Sequence, residues 1–414
     1  MAVRTLHFAD AHIDMANYGK RNTSTGLPYR VEDYLRALDK IIDTAITEKV
    51  DLVIFAGDAY KDRTPVPTFQ REWGKRIMRL SQAKIPTILL VGNHDFSPSQ
   101  GRAHTLQEYE TLEIPYIRVI SHPVLLGPDD LWGVPVQVLG LPWVSKAKVL
   151  AAKKSKGLEV GDINETIETT IGSVVDDFLG KASKELPIIF TAHASVQGAQ
   201  YGKERSVMLG KDLVISKSLV CDPRIDYSAL GHIHKPQNLN IGAHPPVIYP
   251  GSIERVDFGE IDDQKYFIIA EVDKGKTRIE WRKLTGRTFI DRSVKLTEDD
   301  VNVTQILINA LPEQEVMKDA IVRLAIHYPE GMETRIDYVA LMNYASGCFD
   351  FRLVKRPQFL TRLRLSPDQQ FCSLPPLELL DLYFKVKHFS KEESEELMDM
   401  AQVLLTEEEL VEDD

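Results

Sequence analysis

Short apolar runs and segments of helical periodicity alternate along the first part of the chain. Residues 3–9 are strand-like and residues 52–56 are a short apolar run, and between them apolar residues recur every three or four positions from Val31 to Ile46. This pattern predicts a β-α-β unit at the start of the chain.

The alternation continues to about residue 285. It predicts helices near residues 67–83, 105–112 and 163–181, and strands near residues 86–91, 116–120, 136–141, 187–191, 225–230, 247–249, 266–272 and 277–284. Strands that alternate with helices are typical of the α/β class, here as a layered two-sheet core with mixed strands in its second half. We expect its two halves to contribute to one site from the ends of their strands.

The pattern changes after residue 285 and predicts three parts, residues 1–285, 286–366 and 367–414. In the second part, helical segments and strand-like segments predict a small α+β domain. The third part starts with a linker that contains prolines, followed by an amphipathic helix at 377–389. Ser390 and Glu393 form a capping-box pattern for a last helix before an acidic tail. The apolar face of this helix pair either folds back on its own domain or docks on a partner, and the sequence leaves both open.

Composition narrows the class of protein. The chain has 414 residues, 43% of them hydrophobic and 27% charged, which is typical of a globular protein. A net charge of −11 argues against a surface that is basic overall, but not against a local cationic track. The three cysteines indicate neither a disulfide framework nor a thiolate metal site. The chain start lacks a signal-peptide pattern and no apolar stretch has the length of a membrane span, so we expect a cytoplasmic protein.

Polar side chains of the types that bind metal ions follow five of the predicted strands. They are Asp10 and His12, then Asp58, then Asn93, His94 and Asp95, then His193, and last His232 and His234. Each group alone has an ordinary explanation, such as a hydrogen-bonded structural histidine, a surface turn or a helix cap. Their fixed order, each behind its own strand, predicts one shared metal site instead, because open α/β sheets place their sites at strand ends.

A site of this kind suits phosphodiester hydrolysis by two divalent ions. Two ions roughly 3.5–4 Å apart clamp the phosphate oxygens and acidify a water between them. Asp58 follows the small Gly57 and can approach both ions, while Asp10 and His12 would point to the same side of an extended segment. A donor set without cysteine favours hard or borderline ions, and its imidazoles argue against magnesium.

The same segments resemble the five phosphoesterase motifs of the calcineurin-like superfamily. The matching residues are Asp10-Ala11-His12, Gly57-Asp58, Gly92-Asn93-His94-Asp95, His193 and Gly231-His232-Ile233-His234. Residues 227–237 and 249–255 resemble, more narrowly, the SbcD group, the nuclease subunits of bacterial double-strand-break repair complexes. The resemblance extends over nearly the whole chain. It implies a metallophosphoesterase core, a small capping domain over DNA, and terminal helices that bind an SbcC-type coiled-coil ATPase.

The resemblance also implies a role for each motif position. It implies one ion held by Asp10, His12, Asp58 and His234, and a second held by Asp58, Asn93, His193 and His232, with manganese as the expected metal. The implied catalytic residues are His94, which contacts the scissile phosphate and assists the departing oxygen, and Asp95, which orients His94 or nearby backbone. Lys61 stands where some relatives have a histidine, so Lys61 or Arg63 would contact a phosphate instead.

The resemblance therefore implies a metal-dependent DNA exonuclease and endonuclease subunit of an SbcCD-type repair complex. The expected partners are DNA, as duplex ends, hairpins and single strands, an SbcC-type ATPase and a second copy of the chain, with no membrane. Two groups of cations are candidate DNA contacts or simply a solvated face: Lys146, Lys148, Lys153, Lys154 and Lys156, and Arg352, Lys355, Arg356, Arg362 and Arg364. One alternative is an independent phosphatase or cyclic-nucleotide phosphodiesterase, which would leave residues 286–414 without a purpose. The other is a non-catalytic scaffold, although every ligand type is present here.

Overall fold

A computed structural model describes residues 2–96, 102–144, 163–202, 214–358, 375–386 and 389–409 of the chain. The chain divides into two compact units. The first comprises Met1–Asp291, Pro312–Arg323 and Ala345–Arg352, and the second comprises Arg292–Leu311, Leu324–Tyr344 and Leu353–Asp414. The division into three parts at residues 285 and 366 stays a prediction.

Two six-stranded sheets dominate the first unit. In one sheet, four neighbouring strands are parallel, β1 (Val3–Phe8), β2 (Leu52–Phe55), β3 (Thr87–Leu90) and β4 (Ile117–Ile120), and β13 (Lys265–Asp273) and β14 (Lys276–Leu284) add antiparallel strands beyond β1. In the other sheet, β6 (Gln137–Leu141), β7 (Ile188–His193), β10 (Tyr227–Gly231) and β12 (Val247–Tyr249) are parallel, with β5 (Val124–Leu126) and β11 (Gln237–Asn238) antiparallel at its edges. The parallel strands of each sheet direct their carboxyl ends to one edge.

Helices cover the outer face of each sheet. The helices of this unit's α/β region are α1 (Tyr29–Thr47), α2 (Pro67–Gln82), α3 (Gln107–Thr111), α4 (Ile163–Lys181) and α5 (Lys217–Val220). Buried residues of α1 and α2, such as Leu38 and Trp73, share one apolar core with Phe8 and Phe55 of the first sheet. Buried residues of α4 share a second core with strands of the other sheet. A short parallel pair, β8 (Ser195–Val196) and β9 (Val214–Ile215), lies apart from both sheets.

The period of two along the strands creates a third core between the sheets. On β2, Phe55 points to the helices, whereas Ile54 points to the other sheet and shares a core with Ile189 of β7 and Ala229 of β10. Alternating side chains of β2 thus belong to two cores, which explains why β2 is apolar at every position. The predicted α/β class with two layered sheets is confirmed.

The helix and strand bounds agree closely with the sequence pattern, with a few informative differences. The helix predicted at 163–181 has those bounds. β7 continues to His193, two residues beyond its predicted end, so this histidine is the last residue of a strand. The short β5 and β11 at the sheet edges were not predicted, because runs of two or three residues do not show a period.

The remaining elements follow the two sheets in sequence. β15 (Phe289–Lys295), β16 (Ile321–Pro329) and β17 (Asp350–Gln358) form a three-stranded sheet in that order, and the helices are α6 (Val303–Ala310), α7 (Gln314–Met317), α8 (Tyr338–Tyr344), α9 (Pro376–Val386) and α10 (Lys391–Glu409). The predicted capping box before α10 is confirmed: Glu393 N donates to Ser390 Oγ at 3.2 Å, and Ser390 N donates to the Glu393 carboxylate at 3.1 Å. Within the described ranges, no helix is both long enough and apolar enough to cross a membrane.

Candidate metal centre

The side chains predicted as metal ligands leave the carboxyl ends of five strands, three in one sheet and two in the other. Asp10 and His12 follow β1, Asp58 follows β2, Asn93 follows β3, His193 ends β7, and His232 and His234 follow β10. The backbone joins the two sets directly, because His232 N donates to both carboxylate oxygens of Asp10 at 3.1 Å. The two sheets therefore deliver their ligands to one place.

Two clusters of ligand atoms result. The possible ligand atoms of Asp10, His12 and His234 lie within 4.8 Å of one another, and so do those of Asp10, Asp58 and His193. Asp58 Oδ2 lies 3.3 Å from His193 Nε2 and 3.9 Å from His12 Nε2, so this carboxylate faces one imidazole of each cluster. Ligands of a common ion at about 2.0–2.2 Å from it are separated by distances of this order.

Asn93 completes the set of seven candidate ligands together with His232. Its Oδ1 atom lies 2.9 Å from His193 Nε2 and 3.0 Å from His232 Nδ1. The structure thus brings together all seven side chains that the sequence singled out as metal ligands. Asp10, His12, Asp58, His193 and His232 are buried, whereas Asn93 and His234 keep some exposure toward solvent.

Left-handed backbone at the strand ends aims these side chains. The φ angles of Asp10, His12, Asp58 and His232 are 51°, 38°, 65° and 98°. The extended segment expected for Asp10 and His12 is therefore wrong: β1 ends at Phe8 and both residues have left-handed backbone. Asp10 N donates to Gly57 O at 3.0 Å and Ala11 N donates to Asp58 O at 2.8 Å. These bonds hold a conformation that costs about 1–3 kcal/mol per residue, as strained backbone at functional sites does.

Two glycines allow the strand-end loops to approach one another. A Cβ atom at Gly92 would collide with the carboxylate and backbone nitrogen of Asp58, and one at Gly57, where φ is 100°, would collide with the His193 imidazole. Only glycine has the small size needed at these two positions, and Gly57 also needs its freedom at positive φ.

Hydrogen bonds at the rear of the rings fix the tautomers. The Nδ1 atoms of His12 and His193 lie 3.1 Å from Tyr60 O and 2.7 Å from Ala56 O. A carbonyl oxygen only accepts, so each Nδ1 donates and the Nε2 atom of the neutral ring presents a lone pair. His234 Nδ1 similarly faces the Glu260 carboxylate at 2.8 Å. Such rear partners are typical of histidines that bind metal ions.

The ring nitrogens and the amide oxygen that face one another in the centre fit a cation between them. His12 Nε2 and His234 Nε2 lie 3.1 Å apart, and His193 Nε2 faces Asn93 Oδ1 at 2.9 Å. When the rings are neutral, each of these atoms is an acceptor, and acceptors at hydrogen-bond distance repel one another unless a proton or a cation lies between them. Two divalent ions satisfy this requirement with N and O ligands of suitable type.

The charges of the centre depend on one another. Burial alone would raise the pKa of the Asp58 carboxyl, but the imidazoles of His193, His94 and His12 hold it well below its ordinary value. Burial would lower the pKa of His193, but Asp58 instead raises it to about 9, so a proton on this ring balances Asp58 and a bound cation would displace that proton. Burial also lowers the pKa of His12 well below its usual range. The centre therefore keeps Asp58 anionic and His12 neutral, which are the forms that bind cations.

Behind His234 lies a buried ion pair. Lys265 Nζ lies 2.7 Å from Glu260 Oε2 and donates to Ser252 Oγ at 2.8 Å, and both charged side chains are almost inaccessible to solvent. Burial alone would raise the pKa of Glu260, but Lys265 and His234 hold it well below its ordinary value. Glu260 is thus an anion that orients the His234 ring.

The two residues predicted to be catalytic have different surroundings. His94 N donates to Asp58 Oδ1 at 2.8 Å, its Nδ1 atom lies 2.7 Å from Lys61 O, and its ring stands edge-on to His12 with centroids 5.2 Å apart. Asp95 does not face His94. Its carboxylate accepts from the backbone N–H groups of Asp58, Ala59 and Gly92 at 2.8–3.0 Å. Asp95 therefore holds the loop that carries Asp58, and burial together with that neighbouring carboxylate raises its pKa to about 6.

The predicted DNA contacts are placed only in part. The five lysines between residues 146 and 156, with Arg362 and Arg364, lie outside the described residues. Arg352 donates to Asp350 at 2.9 Å and to Asn17 O at 2.8 Å, and Lys355 pairs with Glu333 at 2.6 Å. These bonds favour the structural explanation for Arg352 and Lys355, whereas Arg356 is exposed.

Three residues at the centre escaped the sequence reasoning. Glu260 and Lys265 lie beyond the last motif, and no spacing links them to His234. Trp143 follows the end of β6, and its ring lies 5.1 Å from that of His232. A strand-end position could have drawn attention to Trp143, but tryptophan is not a ligand type.

Comparisons with known proteins agree with this geometry. The model of the calcineurin-like phosphoesterase family matches residues 3–236. The SbcD component of the SbcCD nuclease of Escherichia coli K12 is 27% identical over 284 residues, 66% of each chain. The DNA double-strand break repair protein Mre11 of Methanosarcina acetivorans is 24% identical over 324 residues, 77% of this chain and 45% of that protein.

The matched regions thus cover no more than about two thirds of these two relatives. A dimetal phosphatase from Danio rerio aligns in structure with a TM-score of 0.40 and 12% identity, over 68% of this chain and 96% of its own. The predicted similarity to the SbcD group is confirmed. With a family match that covers more than half of its length and a centre that fits two divalent cations, the chain belongs to the calcineurin-like phosphoesterase family.

Proposed function

We propose that this chain is a metal-dependent DNA nuclease, the nuclease subunit of an SbcCD-type end-processing complex. The observation that carries the proposal is the convergence of seven N and O ligands on one point, with His94 beside them and in neither ligand cluster. Similarity to relatives named for nuclease activity and double-strand break repair supports DNA as the substrate.

Two overlapping sets of residues would hold the two ions. One ion would be held by Asp10, His12, Asp58 and His234, and the other by Asp58, Asn93, His193 and His232. Two such ions, manganese by family likeness, supply the positive charge that acidifies water and stabilises the phosphodiester transition state.

His94 acts on the departing oxygen. The bond between its Nδ1 atom and Lys61 O turns Nε2 away from the loop, and the backbone bond to Asp58 holds the residue beside the centre. Because Nδ1 donates to Lys61 O, Nε2 carries a proton only when the ring is an imidazolium, and in that form it can pass the proton to the oxygen that leaves the phosphorus. Asp95 is a positioning residue, because it acts through the backbone of Asp58.

The terminal helices supply the partner surface in this proposal. α9 and α10 contact each other, and Tyr383 of α9, Leu397 and Met400 of α10 and Phe389 between the two helices have exposed fractions of 38–58%. An apolar face of this kind fits a helical partner such as the coiled-coil base of an SbcC-type ATPase. A homodimer of the chain completes the proposed assembly, by family likeness.

The substrate is tested with the purified chain and manganese. We expect cleavage of linear duplex, hairpin or single-stranded DNA, and its loss in an Asp58→Asn variant. An exposed carboxylate such as Glu271 provides the matched control, Glu271→Gln. Turnover of small phosphate esters without any DNA cleavage would overturn the proposal in favour of an independent phosphatase.

The partner is tested by pull-down with and without residues 373–414. We expect the full chain to retain an SbcC-type ATPase and the truncated chain to lose it. Turnover of a small phosphodiester by the truncated chain checks that its core is folded. Retention of the ATPase by a folded truncated chain would refute the docking role of α9 and α10.

A further inference from the structure

A cavity of about 550 Å³ opens beside His94, within the range of roughly 300–1,000 Å³ typical of small-molecule sites. His94 forms one wall. The lining also includes the apolar side chains of Met15, Val66 and Phe69, and the charged residues Asp14, Lys61, Asp62 and Arg63. Val66 is 52% exposed, so an apolar side chain stands in solvent at this place.

Hydrogen bonds build the loop that carries the two cations. The Asp14 carboxylate accepts from Lys61 N at 2.5 Å and from Asp62 N at 2.9 Å. Asp62 Oδ1 in turn accepts from Thr64 N at 3.0 Å. The Asp14 and Asp62 carboxylates thus hold the backbone of the loop, and the side chains of Lys61 and Arg63 beside them are exposed and carry positive charge.

Arg63 also connects this cavity to a second one. Its Nε atom donates to Asn93 O at 3.3 Å, which holds the side chain near the metal centre. The second cavity, of about 660 Å³, shares Arg63 and Pro65 with the first and is also lined by Arg102 and His104. Arg63 and Arg102 thus supply two cations along the two cavities, whose lining also includes Glu108, and a phosphate backbone needs such cations.

We propose that the cavity beside His94 binds the nucleoside on the leaving side of the scissile phosphate. The base lies against Met15, Val66 and Phe69, and the next phosphate lies near Lys61 and Arg63. This assignment rests on the proposed nuclease function, because His94 there acts on the departing oxygen and the nucleoside bearing that oxygen must lie on its side. A base enters the cavity only when it has left the stack, so an unpaired nucleotide is the preferred ligand.

An abasic scan tests the base contact. Single-stranded oligonucleotides with one abasic residue at successive positions are cleaved with manganese, and the rate at each bond is measured. We expect a loss on the order of tenfold when the abasic residue is the leaving-side neighbour of the bond, and little loss three positions away. Val66→Ser should reduce this loss, and serine is a favoured residue at the N-cap of α2, where Val66 lies. The control Ile241→Ser, at an apolar residue that is 84% exposed, should leave the abasic loss unchanged.

The salt dependence of cleavage tests the phosphate contact. Lys61→Met should lower kcat/KM for an oligonucleotide relative to that for bis(p-nitrophenyl) phosphate, and should reduce the slope of log kcat/KM against log salt by roughly 0.7. Lys75→Met, on the exposed face of α2, should change neither the ratio nor the slope.

The outcomes separate the two proposals. Cleavage of DNA with no abasic effect at the leaving-side position, and with Val66→Ser and Lys61→Met behaving as their controls, would overturn the cavity assignment alone. Turnover of the small diester without cleavage of any DNA would overturn the nuclease function, and the cavity assignment with it.

Discussion

The Nδ1 atom of His7 lies 2.9 Å from the hydroxyl oxygen of Tyr227, and the pair joins the two sheets within the core between them. His7 belongs to β1 and Tyr227 to β10, and both side chains are fully buried. A histidine in such a place gives the fold a dependence on pH that is separate from the metal centre.

Acid should destabilise the fold through His7. Burial lowers its pKa from 6.5 to about 3, so between these pH values His7 is protonated in the unfolded chain but neutral in the folded chain. The contribution of His7 to the free energy of unfolding is fully present above about pH 6.5. It falls as the pH drops toward 3, by about 1.4 kcal/mol per pH unit, which amounts to roughly 2 kcal/mol at pH 5.

Denaturant unfolding at pH 7.5 and pH 5.0 measures this loss. The double variant His7→Leu/Tyr227→Phe removes the imidazole without stranding the tyrosine hydroxyl, and it should lose about 2 kcal/mol less between the two pH values than the wild type does. His122→Leu, at an exposed histidine, is the control. Equal losses in the double variant and the wild type would contradict the prediction.

Glu260 should govern metal affinity through His234. Glu260→Gln removes the anion that orients the ring, and metal affinity measured by titration calorimetry should fall about 10–100-fold, as for other groups behind a ligand. The same change leaves Lys265 buried without its partner, which costs about 3–5 kcal/mol of stability.

The double variant Glu260→Gln/Lys265→Met separates these two effects. It removes both charges of the buried pair, so we expect much of the stability to return while the metal affinity stays low. Recovery of both quantities together would mean that Glu260 acts only on the fold.

His94→Gln should separate catalysis from metal binding. The change removes the group proposed to protonate the departing oxygen, and kcat should fall by a factor of about 10²–10⁴. The number of metal ions bound per chain, measured after dialysis, should stay the same because His94 lies in neither ligand cluster. Loss of the ions along with the activity would show that its role is misassigned.

Gly92→Ala should disrupt the centre by size alone. The added methyl group would meet the Asp58 carboxylate and backbone nitrogen, so the loop must move and metal binding should weaken. Gly127→Ala is a matched control, since a Cβ atom there meets nothing within 4 Å. Metal titration and thermal unfolding of both variants check this, and wild-type affinity in Gly92→Ala would count against the close approach of the two loops.

The sequence was sufficient to find the side chains that converge as candidate ligands but not what surrounds them. Asp58 and His232 could be found because each follows an apolar run, and strand ends are visible in one dimension. The left-handed turns at Asp10 and His12 could not, since they depend on bonds to the neighbouring loop at Gly57 and Asp58. The partners of Asp95 could not be predicted for a similar reason: its carboxylate accepts hydrogen bonds from backbone N–H groups of two different loops.

The ligands of each proposed ion come from distant parts of the chain, since His12 meets His234 across 222 positions and Asn93 meets His193 across 100. A bound ion is therefore a reversible cross-link between the sheets, and at a concentration one hundred times its Kd it adds about 2.7 kcal/mol to the free energy of unfolding. Scarcity of metal would then shorten the survival of the protein against proteases as well as silence its chemistry, so the supply of one inorganic ion would regulate both abundance and turnover.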